Sequence, residues 1–74
     1  MIEFELKANE DNISLIQLLK VVGLARSGGE AQQLVVQGLV MLNGQPESRK
    51  RAKIRKGDII ECLGKKIIVT QSLG

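Results

Sequence analysis

Two consecutive stretches of the chain are written in the same grammar. "SLIQLLKVVG", residues 14 to 23, opens on Ser14 with Gln17 three places on. It then carries Leu15, Leu18, Leu19 and Val22 at the i, i+3, i+4, i+7 spacing of one helical face and stops at Gly23. "SGGEAQQLVVQG", residues 27 to 38, opens on Ser27 with Glu30, carries Ala31, Leu34 and Val35, and stops at Gly38. A serine answered by Gln or Glu at the third helical position is a capping box. A glycine just past the apolar stripe supplies the left-handed residue that ends a helix. Ile13 and Leu18 stand at the two positions of a hydrophobic staple over the first start. The spacing predicts a first helix at about 15–22 and a second between Ser27 and Gly38, folded into a hairpin by the short link "GLARS".

The remaining segments alternate with period two. In "IEFELK", residues 2 to 7, Ile2, Phe4 and Leu6 face one way and Glu3, Glu5 and Lys7 the other, the pattern of a half-buried strand. "ANEDN" breaks it. After Gly38, "LVML" reads as a strand. Asn43-Gly44 is a hairpin signal, because both turn positions need positive φ. Pro46 cannot donate to a ladder, so the strand after that turn is short or at an edge. "KGD" at Lys56 to Asp58 marks another turn, "IIECL" and "KIIVT" read as strands joined at Gly64-Lys65, and "QSLG" as a frayed tail. The expected order is β-α-α-β-β-β: an α+β fold in which a two-helix hairpin packs on a small, mostly antiparallel sheet, as one domain over residues 1–74. With one Phe and no Trp or Tyr, the core must be aliphatic.

Charge is concentrated in "ESRKRAKIRKGD", residues 47 to 58. Arg49 to Lys56 holds six of the eleven cations, and outside it five face eight acidic residues, a balance of −3. The basic character is therefore one segment and not a general coat, which points to a directed anion-binding face. A solvated loop is the bland reading of such a block. Against it, like charges at this density repel one another with no gain to a small domain. Ile54 also interrupts the run where it can anchor the segment to the core. Scarce aromatics exclude base stacking on aromatic side chains as the main binding device.

The inventory for catalysis is thin. There is no His, the commonest general base and metal ligand. Cys62 is the sole cysteine, too few for a zinc site or an internal disulfide, and among apolar neighbours it reads as a buried structural thiol. Ser14 and Ser27 are already helix caps, and no serine has a His partner. The expectation is no enzyme, no catalytic residue, no metal and no cofactor. The first ten residues lack a signal-peptide pattern, and no apolar run nears the roughly 20 residues a membrane span needs. A cytoplasmic monomer with no membrane partner is expected.

Two further features bear on binding. Gly28-Gly29 reads either as a tight helix start or as bare backbone for a phosphate, since it fits neither the P-loop nor the dinucleotide fingerprint. Lys20, off the apolar stripe of the first helix, and Arg26, just before the second, are solvated cations alone and an extension of the basic patch together.

With these elements in place the chain resembles the S-four domain, the RNA-binding domain named for ribosomal small-subunit protein four, with its αL motif. The likeness runs from "LIQLLKVVGLARSGGEAQQLVVQGLVMLNGQPES" through "KIRKGDIIE", a core of about 14–63, and is strongest to small free-standing bacterial members. It implies that the helical hairpin and the following loop form an RNA-binding face. Carried over by position, that face comprises Lys20, Arg26, Ser27, Gly28, Gly29 and the basic residues Arg49, Lys50, Arg51 and Lys53. Many members place Arg directly after the serine and again beside the helix alanine, where this chain has Gly28 and Gln32. That departure shifts the positive charge onto the basic segment. The expected function is non-enzymatic binding of structured RNA, ribosomal RNA or its precursors, with ribosomal particles as possible partners. The competing expectation is a ribosome-associated adaptor whose basic loop docks on an acidic protein.

Overall fold

The structure is a computed structural model, and it describes residues 1–73. The chain runs β1 (Ile2–Leu6), β2 (Ile13–Ser14), α1 (Leu15–Val21), α2 (Gly28–Val36), β3 (Val40–Leu42), β4 (Gln45–Pro46), β5 (Lys53–Ile54), β6 (Ile59–Cys62) and β7 (Lys65–Gln71).

The two helices stop at their glycines as the sequence signals, and at each start the serine half of the capping box forms, while the Glu30 carboxylate accepts from Arg26 N instead of Ser27 N. Ser14 Oγ accepts from Gln17 N at 3.2 Å, and Ser27 Oγ accepts from Glu30 N at 3.1 Å. At the far ends Gly23 and Gly38 adopt φ of 83° and 75°. Leu24 N donates to Leu19 O at 3.0 Å and Gly23 N to Lys20 O at 3.0 Å; Leu39 N donates to Leu34 O at 3.1 Å and Gly38 N to Val35 O at 3.1 Å. These are two Schellman motifs, which satisfy carbonyls that a helix end would otherwise leave open. α1 buries Leu15, Leu18 and Leu19 of its predicted stripe, with Val22 partly buried at the C-cap, and α2 buries Ala31, Leu34 and Val35.

Five strands form one sheet in the order β1-β7-β6-β3-β4. Ile2 pairs with Ile67, Ile67 with Ile60 and Ile60 with Leu42, so one apolar row crosses four strands on the face that joins the helices. Val40, Cys62 and Val69 extend that core, which is aliphatic apart from the partly buried Phe4. The Asn43-Gly44 turn has φ of 51° and 84°, the doubly left-handed geometry its sequence demands, and β4 with Pro46 is a two-residue edge strand.

The structure corrects the sequence reading in three places. The β6–β7 turn is Leu63-Gly64, at φ of 52° and 76°, one residue earlier than Gly64-Lys65, and Lys65 already pairs with Cys62. The tail is tied down: Ser72 N donates to Leu6 O at 2.9 Å, and Gln71 Nε2 donates to Lys7 O and Glu10 O. Gly74, the last residue of that expected tail, lies outside the described residues. The sheet is mostly antiparallel, as expected: β1 pairs with β7 in parallel, and the other four strand pairs are antiparallel. Finally, two short strands absent from the expected order, β2 and β5, pair with each other and convert part of the basic loop into sheet.

Ile54, in that second sheet, is fully buried, whereas Arg55 beside it is exposed. Ile54→Ala should cost about 2–5 kcal/mol, large for a domain whose total stability is roughly 5 kcal/mol, whereas Arg55→Ala should stay within about 0.5 kcal/mol. Urea unfolding midpoints of the two variants check this; equal, small shifts would show that Ile54 is not an anchor.

Candidate nucleic-acid interface

The basic segment is built by alternation. Arg51, Lys53 and Arg55 are exposed, while Ala52 and Ile54 between them are 3% and 0% exposed. In the strand Lys53–Ile54 successive side chains take opposite faces, and with Ala52 buried just after the turn at Lys50-Arg51, two apolar anchors hold a segment that exposes three cations. The backbone is fixed as well. Ile13 pairs with Ile54 and Ser14 with Lys53, and Leu15 N donates to Ala52 O at 2.9 Å. Because Ser14 is also the cap of α1, the cations sit directly against the start of that helix.

Both ends of the segment are closed by one hydrogen-bonded cluster. Asn43 Nδ2 donates to Asp58 Oδ1 at 3.0 Å, and Asn43 Oδ1 accepts from Ile59 N at 2.8 Å. The second Asp58 oxygen accepts from Arg55 N at 2.8 Å. Gly57, at φ 91°, donates its N–H to Val69 O at 2.8 Å, which binds the same turn to β7. The "NG" and "KGD" signals, read separately as turns, are thus two halves of one clamp.

Two hollows flank the wall made by Arg51 and Lys53. One, of ≈ 360 Å³, is lined by Arg49, Arg51, Ala52, Lys53 and Arg55. The other, of ≈ 730 Å³, is lined by Asn12, Ser14, Ile16, Gln32, Lys50, Arg51 and Lys53. The larger cleft therefore brings the basic segment together with the first turn of α1 and the middle of α2. Lys50, Arg51 and Lys53 meet there. Gln32, noted in the sequence only as a missing cation, is a lining residue, and Asn12, Ser14 and Ile16 join it. Asn12 was hidden in "ANEDN", whose composition signals only a break.

Of the other expected residues, Arg49 lines the smaller hollow, whereas Lys20, Arg26, Ser27, Gly28 and Gly29 line neither. Lys20 is exposed one turn beyond Ile16 on α1, a spacing that puts both on one side of the helix. Gly28 and Gly29 form the first turn of α2, three and four residues before Gln32 and so on its side. Neither has positive φ, and an added Cβ would meet nothing within 4 Å at Gly28 and only Ser27 Oγ at 3.9 Å at Gly29. Nothing among the described residues requires glycine there. Arg26 is exposed, and its backbone N–H donates to Glu30 Oε1 at 3.4 Å.

Arg49 is held differently from its neighbours. Its Nε donates to Glu47 Oε2 at 3.1 Å, its Nη2 to Glu47 Oε1 at 3.0 Å, and its backbone N–H to Oε2 at 3.0 Å. This fork is the one ion pair among the described residues. Glu47, which the sequence reading passed over as a flanking acid, is its organiser. The Arg49 guanidinium, and then its backbone N–H, hold the Glu47 carboxyl below the usual carboxylate range, against a smaller opposing effect of burial. Burial pushes the Cys62 thiol up, in keeping with an inert core residue.

A two-helix hairpin on a small mixed sheet, with an anchored basic strand beside the helix starts, defines an α+β domain of the αL type. The chain belongs to the S4 domain family, whose profile matches residues 5–70. It is 34% identical over 58 residues to "Putative RNA-binding protein YbcJ" of Escherichia coli (strain K12), covering 78% of this chain and 83% of that protein. It is 35% identical over 52 residues to "Probable ribosome maturation protein RlbA" of Bacillus subtilis (strain 168), covering 70% and 73%. The solution structure of YbcJ from E. coli, described as revealing an αL motif involved in RNA binding, matches with a TM-score of 0.73 at 33% identity, over 95% of this chain and 87% of that one.

A carboxyl whose folded-state pKa is depressed adds stability above its unfolded value, and loses it as pH falls through the folded one. The Glu47–Arg49 fork should accordingly be intact at neutral pH and open only in acid. In a carboxyl-carbon NMR titration, the Glu47 midpoint should lie below that of an unpaired glutamate and rise in Arg49→Met. A midpoint that does not move in the variant would show that the fork is not formed in solution.

Proposed function

We propose that this chain is a non-enzymatic RNA-binding protein that holds structured RNA, ribosomal RNA or its precursors, on the face made by its basic segment and helical hairpin. The observation that carries this reading is the alternation of exposed Arg51, Lys53 and Arg55 with buried Ala52 and Ile54. A solvated charge block needs no such anchoring, and a mobile one would lose entropy on binding that this segment has already given up. The relatives support it: the name of one says RNA-binding and that of another ribosome maturation, and the matched structure is described by its RNA-binding motif.

In this reading Lys50, Arg51 and Lys53 contact phosphates, with Lys20, Arg26, Ser27, Gly28 and Gly29 around them. Arg49 contributes only where a phosphate displaces the Glu47 carboxylate from its guanidinium. The protein works as a single domain and a monomer in the cytoplasm, and it engages ribosomal particles through their RNA. Affinity comes from the backbone, and shape supplies selectivity, because a paired RNA hides its base edges in a deep, narrow major groove.

Replacing Lys50, Arg51 and Lys53 together by Gln should flatten the slope of log affinity against log salt by roughly 2 to 3 units. The measurement is a salt titration of fluorescence anisotropy with a labelled RNA hairpin. The matched change at Lys65 and Lys66, exposed on β7, should leave the slope unchanged. An unchanged slope in the first variant would remove the basic segment from the binding face. No RNA binding by the parent protein, with retention of an acidic protein partner after nuclease digestion, would favour the adaptor instead.

A further inference from the structure

The two hollows beside Arg51 and Lys53 differ in chemistry. The smaller is lined by four cations and Ala52, and suits phosphate alone. The larger adds the side-chain amides of Asn12 and Gln32 and the aliphatic Ile16 to its three cations. Backbone binding requires neither amides nor an apolar wall. Ser14 Oγ is occupied by the Gln17 N–H, whereas the two amides have no hydrogen-bond partner among the described residues.

We infer that the cleft between the start of α1, Gln32 of α2 and the Lys50–Lys53 wall receives a single unpaired nucleobase, adenine by preference, extruded from the structured RNA that the neighbouring cations hold. This rests on the RNA-binding reading and goes beyond it by naming what the RNA must present. A side-chain amide offers a donor and an acceptor in one plane, the pairing that reads the N6 and N7 atoms of adenine. Within a paired A-form stem those atoms are out of reach, so the amides have work only on a base splayed from the helix. The chain has no Trp or Tyr for stacking, and its one Phe, Phe4, belongs to the core cluster. The base would lie against Ile16 and the plane of the Arg51 guanidinium, which serves as a stacking face in RNA recognition. The ≈ 730 Å³ of the cleft falls in the range of about 300–1,000 Å³ typical of small-ligand sites, with room for a base and its ribose.

The test uses the whole protein and two RNA hairpins identical except for one bulged adenosine in the stem. Anisotropy titrations should give about tenfold tighter binding to the bulged stem, the size of one good amide–adenine contact. In Gln32→Ala the ratio between the two hairpins should fall to near one. With purine riboside, which lacks the N6 amine, in place of the bulged adenosine, the parent protein should lose most of that preference, and Gln32→Ala should show no further loss. Equal affinity of the parent protein for both hairpins overturns the base pocket while leaving the RNA-binding reading standing. So does a bulge preference that survives both Gln32→Ala and Asn12→Ala. Failure to bind either hairpin at low salt overturns both readings.

Discussion

The burial of Ile54 between two cations is the constraint on which the rest of this structure depends. Six positive charges within eight residues repel one another and favour an extended, solvated chain. Full burial of one isoleucine contributes about 1.5–3 kcal/mol, and Ala52 two residues earlier adds a second point of attachment. Together with the β2–β5 pairing and the Leu15 N–H on Ala52 O, this outweighs the screened repulsion of exposed charges. The segment that results is fixed at its two buried points: Ala52 and Ile54 point in, and Arg51 in the preceding turn, Lys53 in the strand and Arg55 after it are all exposed.

That anchor also joins the two layers of the fold. β2 is the residue pair immediately before α1, so the strand carrying the cations is hydrogen-bonded to the cap of the first helix. The Schellman ends of α1 and α2 set the length of the hairpin, and that length sets where Gln32 stands relative to Ser14. The Asn43–Asp58 clamp closes the base of the basic segment from the other side. The larger cleft is the meeting point of these separately fixed pieces, none of which could form it alone.

The helical hairpin was legible because its signals are local: cap, stripe and stop glycine all lie within ten or twelve residues of one another. Asn43-Gly44 was legible for the same reason. The parallel β1–β7 pairing was not, since it joins residues more than sixty apart and period-two alternation carries no strand direction. β2 and β5 were too short to show a period. Leu63 at φ 52° misplaced the last turn, because a leucine in the left-handed region runs against its own preference. Of the candidate site, Lys50, Arg51 and Lys53 could be read from charge and the role of Ile54 from its interruption of the run. Asn12, Ile16 and Glu47 could not, because a half-buried amide, a half-buried isoleucine and a single acid acquire meaning only from what the fold sets beside them.

Gly28, Gly29 and Gln32 leave the start of α2 without cations, and the positive charge stands across the cleft on the anchored basic segment. The central claim is that this segment and the facing helix starts form one RNA-binding face. Backbone amide shifts followed by NMR while a structured RNA hairpin is added test it most directly. The account predicts the largest changes at Asn12–Ile16, Gly28–Gln32 and Lys50–Lys53 together. Changes confined to the opposite ends of the helices and the β6–β7 turn, at Val36, Leu39 and Leu63, would contradict it.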